Sequence, residues 1–360
     1  MKKIRLGICM PNCAMGGVNR GHLSMMNSQV DHDIEWSGIA IGHAALFDID
    51  TARLILKHCP IYCTKDNPKF KGLVTIVPNA CQTIINRSDI VKFWGYIKTN
   101  PEIESADWNS KPMLIVAHGE CEWTRNSLAI SLAHGTRHHM VSVSEGGLKC
   151  FPETVQDRVK VIYNGVDFSR CAPSRSRDEV RQEWGIPEGV KTVGHVGRFG
   201  KDKNPLSAAK AVAELGEGFH AVYVGTGYQR DLFVEEVKNI CGDQITILPR
   251  IEDVGTIFTA LDCMVLASPS EACPNAVLES WLSSCPVVAT PVGIIPHLES
   301  KHGELTFSVA FDPSPRELAR AVRLAVQADN RVERAHWLAW NQFSSNRMVK
   351  NYESFLKDIL

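Results

Sequence analysis

"CMVLASPSEACPNAVLESWLSSCPVVAT", residues 263–290, reads as an apolar run, a loop marked by Pro269 and Pro274, a helical stretch, a break and a second apolar run. Both runs are nearly continuous in apolar residues and do not alternate, which is the pattern of strands buried on both faces. Two such strands joined through a helix make a βαβ unit, and so a parallel sheet. The same grammar extends in both directions along the chain. The first half carries "KIRLGICM", "WSGIAIG", "LVTIVP", "DIVKFWG", "MLIVAHG" and "HMVSVSE"; the second carries "KTVGHVGR", "HAVYVGTG", "QITILPR", "CMVLASP", "PVVATPVG" and "LTFSVAF". Helical stretches such as "NPLSAAKAVAEL", "YQRDLFVEEVKNI" and "SPRELARAVRLAVQA" separate them. The expected class is α/β, with two doubly wound, Rossmann-like domains of parallel sheet.

The grammar breaks once, after "VKVIYNGVDFSR", where residues 171–190 turn polar with Pro and Gly near the ends. The expected organisation is a first domain over 1–170, a linker over 171–190 with one short helix, a second domain over 191–340 and a closing helix over 341–360. In doubly wound sheets ligands sit beyond the carboxyl ends of the strands, so two facing domains are expected to hold theirs in a cleft.

Composition removes several classes. A length of 360 residues suits two ordinary domains, and 44% apolar with 22% charged residues is the balance of a soluble globular protein. A net charge of −1 makes a nucleic-acid partner the least favoured. The opening "MKKIRLGICMPNC" has too short an apolar stretch for a signal peptide, and no window approaches the roughly twenty apolar residues of a membrane span. The expected location is cytoplasmic. Peripheral membrane contact is left to two stretches that mix lysine with aromatics, "KFWGYIK" (92–98) and "NPKFKG" (67–72). Twelve cysteines occur at irregular spacing without a CxxC pair, and Cys9, Cys263 and Cys285 read as small core residues. "HCPIYC" (His58, Cys59, Cys63) lacks the second pair that a structural zinc site needs, and His138 and His139 are adjacent on a strand and so point to opposite faces. Both are read as structural, and no metal is expected.

Four strand ends carry chemistry. After the first, "PNCAMGGVNR" opens a helix with Gly16 and Gly17, which lets backbone N–H groups approach a phosphate. GxGxxG is absent, which argues against a dinucleotide cofactor. "GRFGKDKN" offers Arg198 for bidentate hydrogen bonds and Lys203 as a point charge, a pair suited to a diphosphate. "MLIVAHGE" ends in His118. "SPSEACPNAVLES" places Glu271 in a loop and Glu279 inside the helix that follows, too deep to act on the helix dipole.

Together these four resemble the retaining nucleotide-sugar glycosyltransferases of the GT-B fold, glycosyltransferase family 4, across nearly the whole chain. E-x7-E, from Glu271 to Glu279, is the most specific part. "GRFGKDKN" is similar to the family's phosphate clamp and "VIYNGVDFSR" to its inter-domain signature; "SDIVKFWG", "VSVSEG" and "PVVATPVGIIP" follow the family's order. The end, "FSSNRMVKNYESFLKDIL", resembles the closing helix that crosses back onto the first domain.

The resemblance implies a hexosyltransferase that uses a nucleoside-diphosphate sugar, a UDP-sugar first and GDP- or ADP-sugar next. Its acceptor would be a glycan, a lipid-linked saccharide or a small molecule. It implies Arg198 and Lys203 on the leaving diphosphate, and Glu271 on hydroxyls of the transferred sugar. Glu279 would take the ribose diol, since a carboxylate offers two acceptor oxygens and no donor. Pro274 is expected in the first helical turn, with the amides of Asn275 and Ala276 facing the donor. Arg250 and Ile251 are expected around the base, and His118 in the donor-sugar pocket, hydrogen-bonded to the sugar or the acceptor. The implied catalytic set is His118, Arg198, Lys203 and Glu271, with no metal and no cofactor beyond the donor. The chain departs from the family at Lys92, where a histidine is frequent, and at Cys273, where an aromatic is usual. The second departure leaves the donor hexose open. Two other readings share this architecture: a sugar-nucleotide 2-epimerase, and a protein that binds the donor without turnover.

Overall fold

The computed structural model describes residues 3–13, 16–42, 47–94, 101–119, 121–227, 229–327 and 329–360. Contacts divide the chain into two compact units, Met1–Gly165 with Ser345–Leu360, and Val166–Ser344. Residues 171–190 therefore belong to the second unit. Asp262 holds them there, accepting from Arg181 at 2.6 Å and Arg177 at 2.9 Å. A capping box between Ser176 and Glu179 starts the short helix Arg177–Glu183 that carries both arginines.

The first unit is built on an eight-stranded sheet: β1 (Ile4–Met10), β2 (Ile34–Ile41), β3 (Ile61–Cys63), β4 (Thr75–Ile76), β5 (Ile90–Phe93), β6 (Met113–Ala117), β7 (His138–Ser142) and β8 (Lys160–Val161). Their spatial order is β4-β3-β2-β1-β5-β6-β7-β8, and every pairing is parallel. The second unit carries six parallel strands, β9 (Lys191–Val196), β10 (Phe219–Val224), β11 (Ile245–Leu248), β12 (Cys263–Leu266), β13 (Val287–Ala289) and β14 (Phe307–Ser308), in the order β11-β10-β9-β12-β13-β14. Each sheet starts in its middle, winds outward, then returns to the other side of its first strand. The reversal falls between β1 and β5 in one unit and between β9 and β12 in the other. A crevice opens at such a point, because the connecting helices leave in opposite directions.

The apolar runs inside each sheet are buried as read, with all five residues of β6 and all four of β12 covered. The edge strands depart from the reading: β4 is exposed and β11 is half-buried, since each has a neighbour on one side only. Strands β3 and β8 escaped that reading, being three and two residues long. Cys9, Cys263 and Cys285 sit in the core, where burial raises their thiol pKa values. Cys121 and Cys150 form a disulfide, which the irregular cysteine spacing gave no sign of. His58 makes a 2.9 Å hydrogen bond with Asn27.

Two stretches were left open to peripheral membrane contact. In them Phe70 and Phe93 are fully buried and Lys92 is 2% exposed, so the unit's own core takes up these two aromatics. Residues 95–98 of that reading lie outside the described residues. Among the described residues no helix is long and apolar enough to cross a membrane.

The helix Ser345–Ile359 belongs to the first unit. Glu353 accepts from the Asp33 amide at 2.9 Å and from Lys350 and Lys357 at 2.8 Å, and Lys357 also reaches Asp33 at 2.6 Å. Tyr352 lies beneath Lys92, whose ammonium nitrogen is 5.3 Å from the ring centre.

Candidate functional site

In the second unit the two strands that flank the reversal deliver the E-x7-E stretch and the basic loop together. After β9 the chain passes Arg198 and enters the short turn Lys201–Lys203; after β12 it passes Ser268 into the loop of Glu271. Lys203 Nζ donates to Glu271 Oε1 at 2.6 Å, with both side chains largely covered. The two residues are 68 apart in sequence, and only the return of β12 beside β9 makes them neighbours. Arg198 lies on the same loop, bonded to Asp202 at 2.7 Å and more than one-third exposed. A cation and a carboxylate acceptor thus meet at the strand ends, with a second cation four residues from the turn's acid.

The loop of Glu271 is braced from behind. Gly293, in the stretch after β13, has φ 60°, and a Cβ there would fall 2.3 Å from the Ala272 carbonyl oxygen. Glycine is required twice over at this position, by the left-handed backbone and by the close approach. The helix Asn275–Leu282 starts one residue later than expected, with Pro274 at the cap position and not in the first turn. The Pro274 carbonyl still accepts from Val277 at 3.0 Å, so the proline ends the loop and its ring occupies a place that needs no N–H. Asn275 and Ala276 are then the first two helical residues, whose amides have no acceptor within the helix itself.

Glu279, one turn further on, is 7% exposed. An isolated carboxylate at that depth would be costly, and the structure supplies a partner the sequence reading missed: Arg170 donates to Glu279 at 3.3 Å. Arg170 also approaches Glu252 at 3.8 Å, and Glu252 pairs with Arg250. Arg250, Glu252, Arg170 and Glu279 form one chain of alternating charge. Ile251, half-buried, stands between its first two members in sequence. Arg170 closes "VIYNGVDFSR", so the partner of Glu279 lies at the end of the stretch that marks the domain boundary.

Gly16, Gly17 and His118 lie on the first unit. Gly16 precedes and Gly17 begins the helix Gly17–Met26, and a Cβ on either would meet nothing within 4 Å. Packing therefore does not demand glycine here, in contrast with Gly293. His118 follows β6 and stands edge-on to two rings, His22 at 6.3 Å and Trp94 at 5.7 Å between centres. Burial, with Lys92 adding to it, holds the His118 imidazole well below the usual range and hence neutral. A neutral imidazole can donate from one nitrogen and accept at the other, the capacity needed to hold a hydroxyl.

Residues 190–327 match the family model described as Glycosyl transferases group 1. The chain is 26% identical over 208 residues to N-acetyl-alpha-D-glucosaminyl L-malate synthase of Bacillus anthracis, which covers 56% of this chain and 54% of that one. It is 31% identical over 175 residues to 2-deoxystreptamine glucosyltransferase of Streptomyces kanamyceticus, covering 46% of this chain and 44% of that one. The chain spans about half the length of the curated relatives it matches. Among solved structures, Anabaena HepE in complex with UDP-glucose gives a TM-score of 0.79 over 99% of this chain and 100% of that one, at 18% identity. That likeness is one of fold, the GT-B arrangement of two Rossmann-like domains.

Proposed function

We propose that this chain, which has the GT-B fold and belongs through residues 190–327 to the glycosyl transferases group 1, moves a sugar from a UDP-sugar to an acceptor with retention at the anomeric carbon. The observation that carries the reading is the meeting of Lys203 with Glu271 at the reversal of the second sheet, with Arg198 beside it. The names of the two relatives, a glucosaminyl malate synthase and a glucosyltransferase, and the UDP-glucose held by the structural neighbour support it.

In this reading the donor's anomeric C–O bond breaks and its electron pair goes to the diphosphate. Charge grows on the leaving phosphate through an oxocarbenium-like state, so fixed cations stabilise the transition state more than the bound donor. Arg198 and Lys203 supply them and do the work a metal does in other transferases. Losing either should cost on the order of 2–4 kcal/mol of barrier, the scale of one preorganised donor. Glu271 accepts from hydroxyls of the transferred sugar, Glu279 from the ribose diol, and the Asn275 and Ala276 amides face the diphosphate. Arg250 and Ile251 flank the base. On the first unit, Gly16 and Gly17 leave room for the donor and His118 holds a sugar hydroxyl. The acceptor oxygen forms the new bond on the face the diphosphate leaves, and its proton passes to the departing phosphate. No carboxylate base is then needed.

The test is a thermal-shift panel with UDP, GDP, ADP and their common sugar conjugates, followed by NMR of the product anomer in EDTA. UDP should raise the melting temperature most, since a ligand specific to the folded state stabilises by about 2.7 kcal/mol at a hundredfold excess over Kd. The product should keep the donor's configuration with EDTA present. A protein that no nucleotide shifts, or an inverted product, would overturn the proposal.

A further inference from the structure

The first unit gathers three basic side chains at its own reversal point, between β1 and β5. His22 comes from the helix after β1 and is 1% exposed; Lys92 comes from β5 and is 2% exposed; His118 follows β6. Among the described residues neither ring nitrogen of His22 has a hydrogen-bond partner, nor has Nε2 of His118 or the indole N–H of Trp94. The ring centres of His22 and His118 are 6.3 Å apart, Trp94 stands between His118 and Trp123, and Lys92 is within electrostatic reach of both histidines.

Such a cluster is costly for a structural core. Buried polar atoms are paired in the great majority of cases, and a buried amine normally has a carboxylate beside it. Here the charged groups that act on His22 are Lys92 and His118, and the one that acts on His118 is Lys92; among the described residues no carboxylate acts on any of the three. The Tyr352 ring covers Lys92 from the closing helix without neutralising it. Three unpaired imidazole nitrogens, an indole N–H and a buried amine converge where a doubly wound sheet opens to ligand.

We infer that His22, Lys92 and His118 form a binding site for an oxyanion, a carboxylate or phosphate group carried by the acceptor. That the anion belongs to the acceptor rests on reading the second unit as the donor side; the binding itself does not. The anion brings the negative charge the cluster lacks, so the basic groups take up protons as it binds. A nearby Trp94–Trp123 pair, stacked at 5.1 Å, gives the body of the ligand an aromatic wall.

Calorimetry of the whole protein with inorganic phosphate and, separately, malonate tests this. Titrations in two buffers of different ionisation enthalpy count the protons taken up. The expected result is binding of at least one anion with net proton uptake, tighter at pH 6 than at pH 8. Lys92→Met should weaken it about 10–100-fold, the loss of one charge-assisted hydrogen bond. His22→Gln is the second variant, expected to act the same way should Lys92→Met not fold. No binding of either anion, equal binding in the variants, or binding without proton uptake would overturn the site. Displacement of the anion by UDP would assign the cluster to the donor's diphosphate and overturn the acceptor. The nucleotide shifts of the wild type are read in a separate experiment, so either proposal can fail alone.

Discussion

Replacing Lys92 by methionine should make the protein more stable, and by an amount that shrinks as pH rises. Burial brings the Lys92 amine down to about 7 from an ordinary 10.5. Between those values the unfolded chain holds a proton that the folded chain does not, so folding releases it. Stability supplied by the wild type therefore climbs with pH across the window from 7 to 10.5, and the full penalty is present below 7. A displacement of that size corresponds to at most about 4–5 kcal/mol at about 1.4 kcal/mol per unit. Relaxation and stray water around so deep an amine reduce it, and we expect a gain of about 2–3 kcal/mol for Lys92→Met at pH 7. Methionine keeps the length of the stem and its contact with Tyr352, so packing adds little to the difference. Urea unfolding of wild type and variant at half-unit steps from pH 6.5 to 9.5 reads it directly. The gain should fall toward zero at the alkaline end, with a slope approaching 1.4 kcal/mol per unit. A variant less stable than wild type at every pH, or a gain that does not change with pH, would mean that the amine is charged and paired in the folded protein, and the reasoning would fail.

Arg170→Met should cost about 1–3 kcal/mol of stability by stranding Glu279, and Glu279→Gln in the same chain should recover most of it; a double-mutant cycle with no coupling would dismiss the pair. Arg198→Ala should depress kcat far more than Glu279→Ala, which should mainly raise the donor KM; similar effects on both constants would break the division of roles. Gly293→Ala should raise donor KM at least several-fold with little change in circular dichroism, because the methyl displaces the Ala272 carbonyl and with it the loop of Glu271. Burial tends to raise the Glu353 carboxyl, but hydrogen bonds from Lys350, Lys357 and the Asp33 amide outweigh it and bring it down to about 2. The stability this confers is whole above about pH 4.5 and is lost as pH falls toward 2. Glu353→Gln should accordingly cost about 1–3 kcal/mol at pH 7, and the gap to wild type should close by pH 2, as read from acid titration of paired melts.

The parallel sheets were legible because their strands are covered on both faces: "MLIVAHG" and "CMVLASP" admit no solvent side, and a helix between two such runs leaves a crossover as the only connection. Strand β3 was hidden for the opposite reason. Its three residues lie inside "HCPIYC", where cysteine and histidine draw attention to metal chemistry. Motif wording drew attention to Lys203 and Glu271 one at a time; their contact depends on strand order, which no local pattern encodes. Arg170 went unnoticed because its partner lies 109 residues away. His22 carries no motif and Lys92 stood out only as a departure from one, and their meeting with His118 is a product of winding alone. Lys92 also lay in a stretch left open to membrane contact, since an amine beside two aromatics looks the same in sequence whether the strand end points outward or in.

The helix Ser345–Ile359 has a consequence for how the protein comes into being. The first unit needs residues synthesised after the whole of the second: Tyr352 to cover Lys92, Glu353 to hold the Asp33 amide, Lys357 to bind Asp33 itself. The second unit, Val166–Ser344, is contiguous in the chain. On a ribosome, where domains close as they emerge, the order of completion is therefore inverted. The unit that is made first must wait, partly open, while its neighbour is translated and folds.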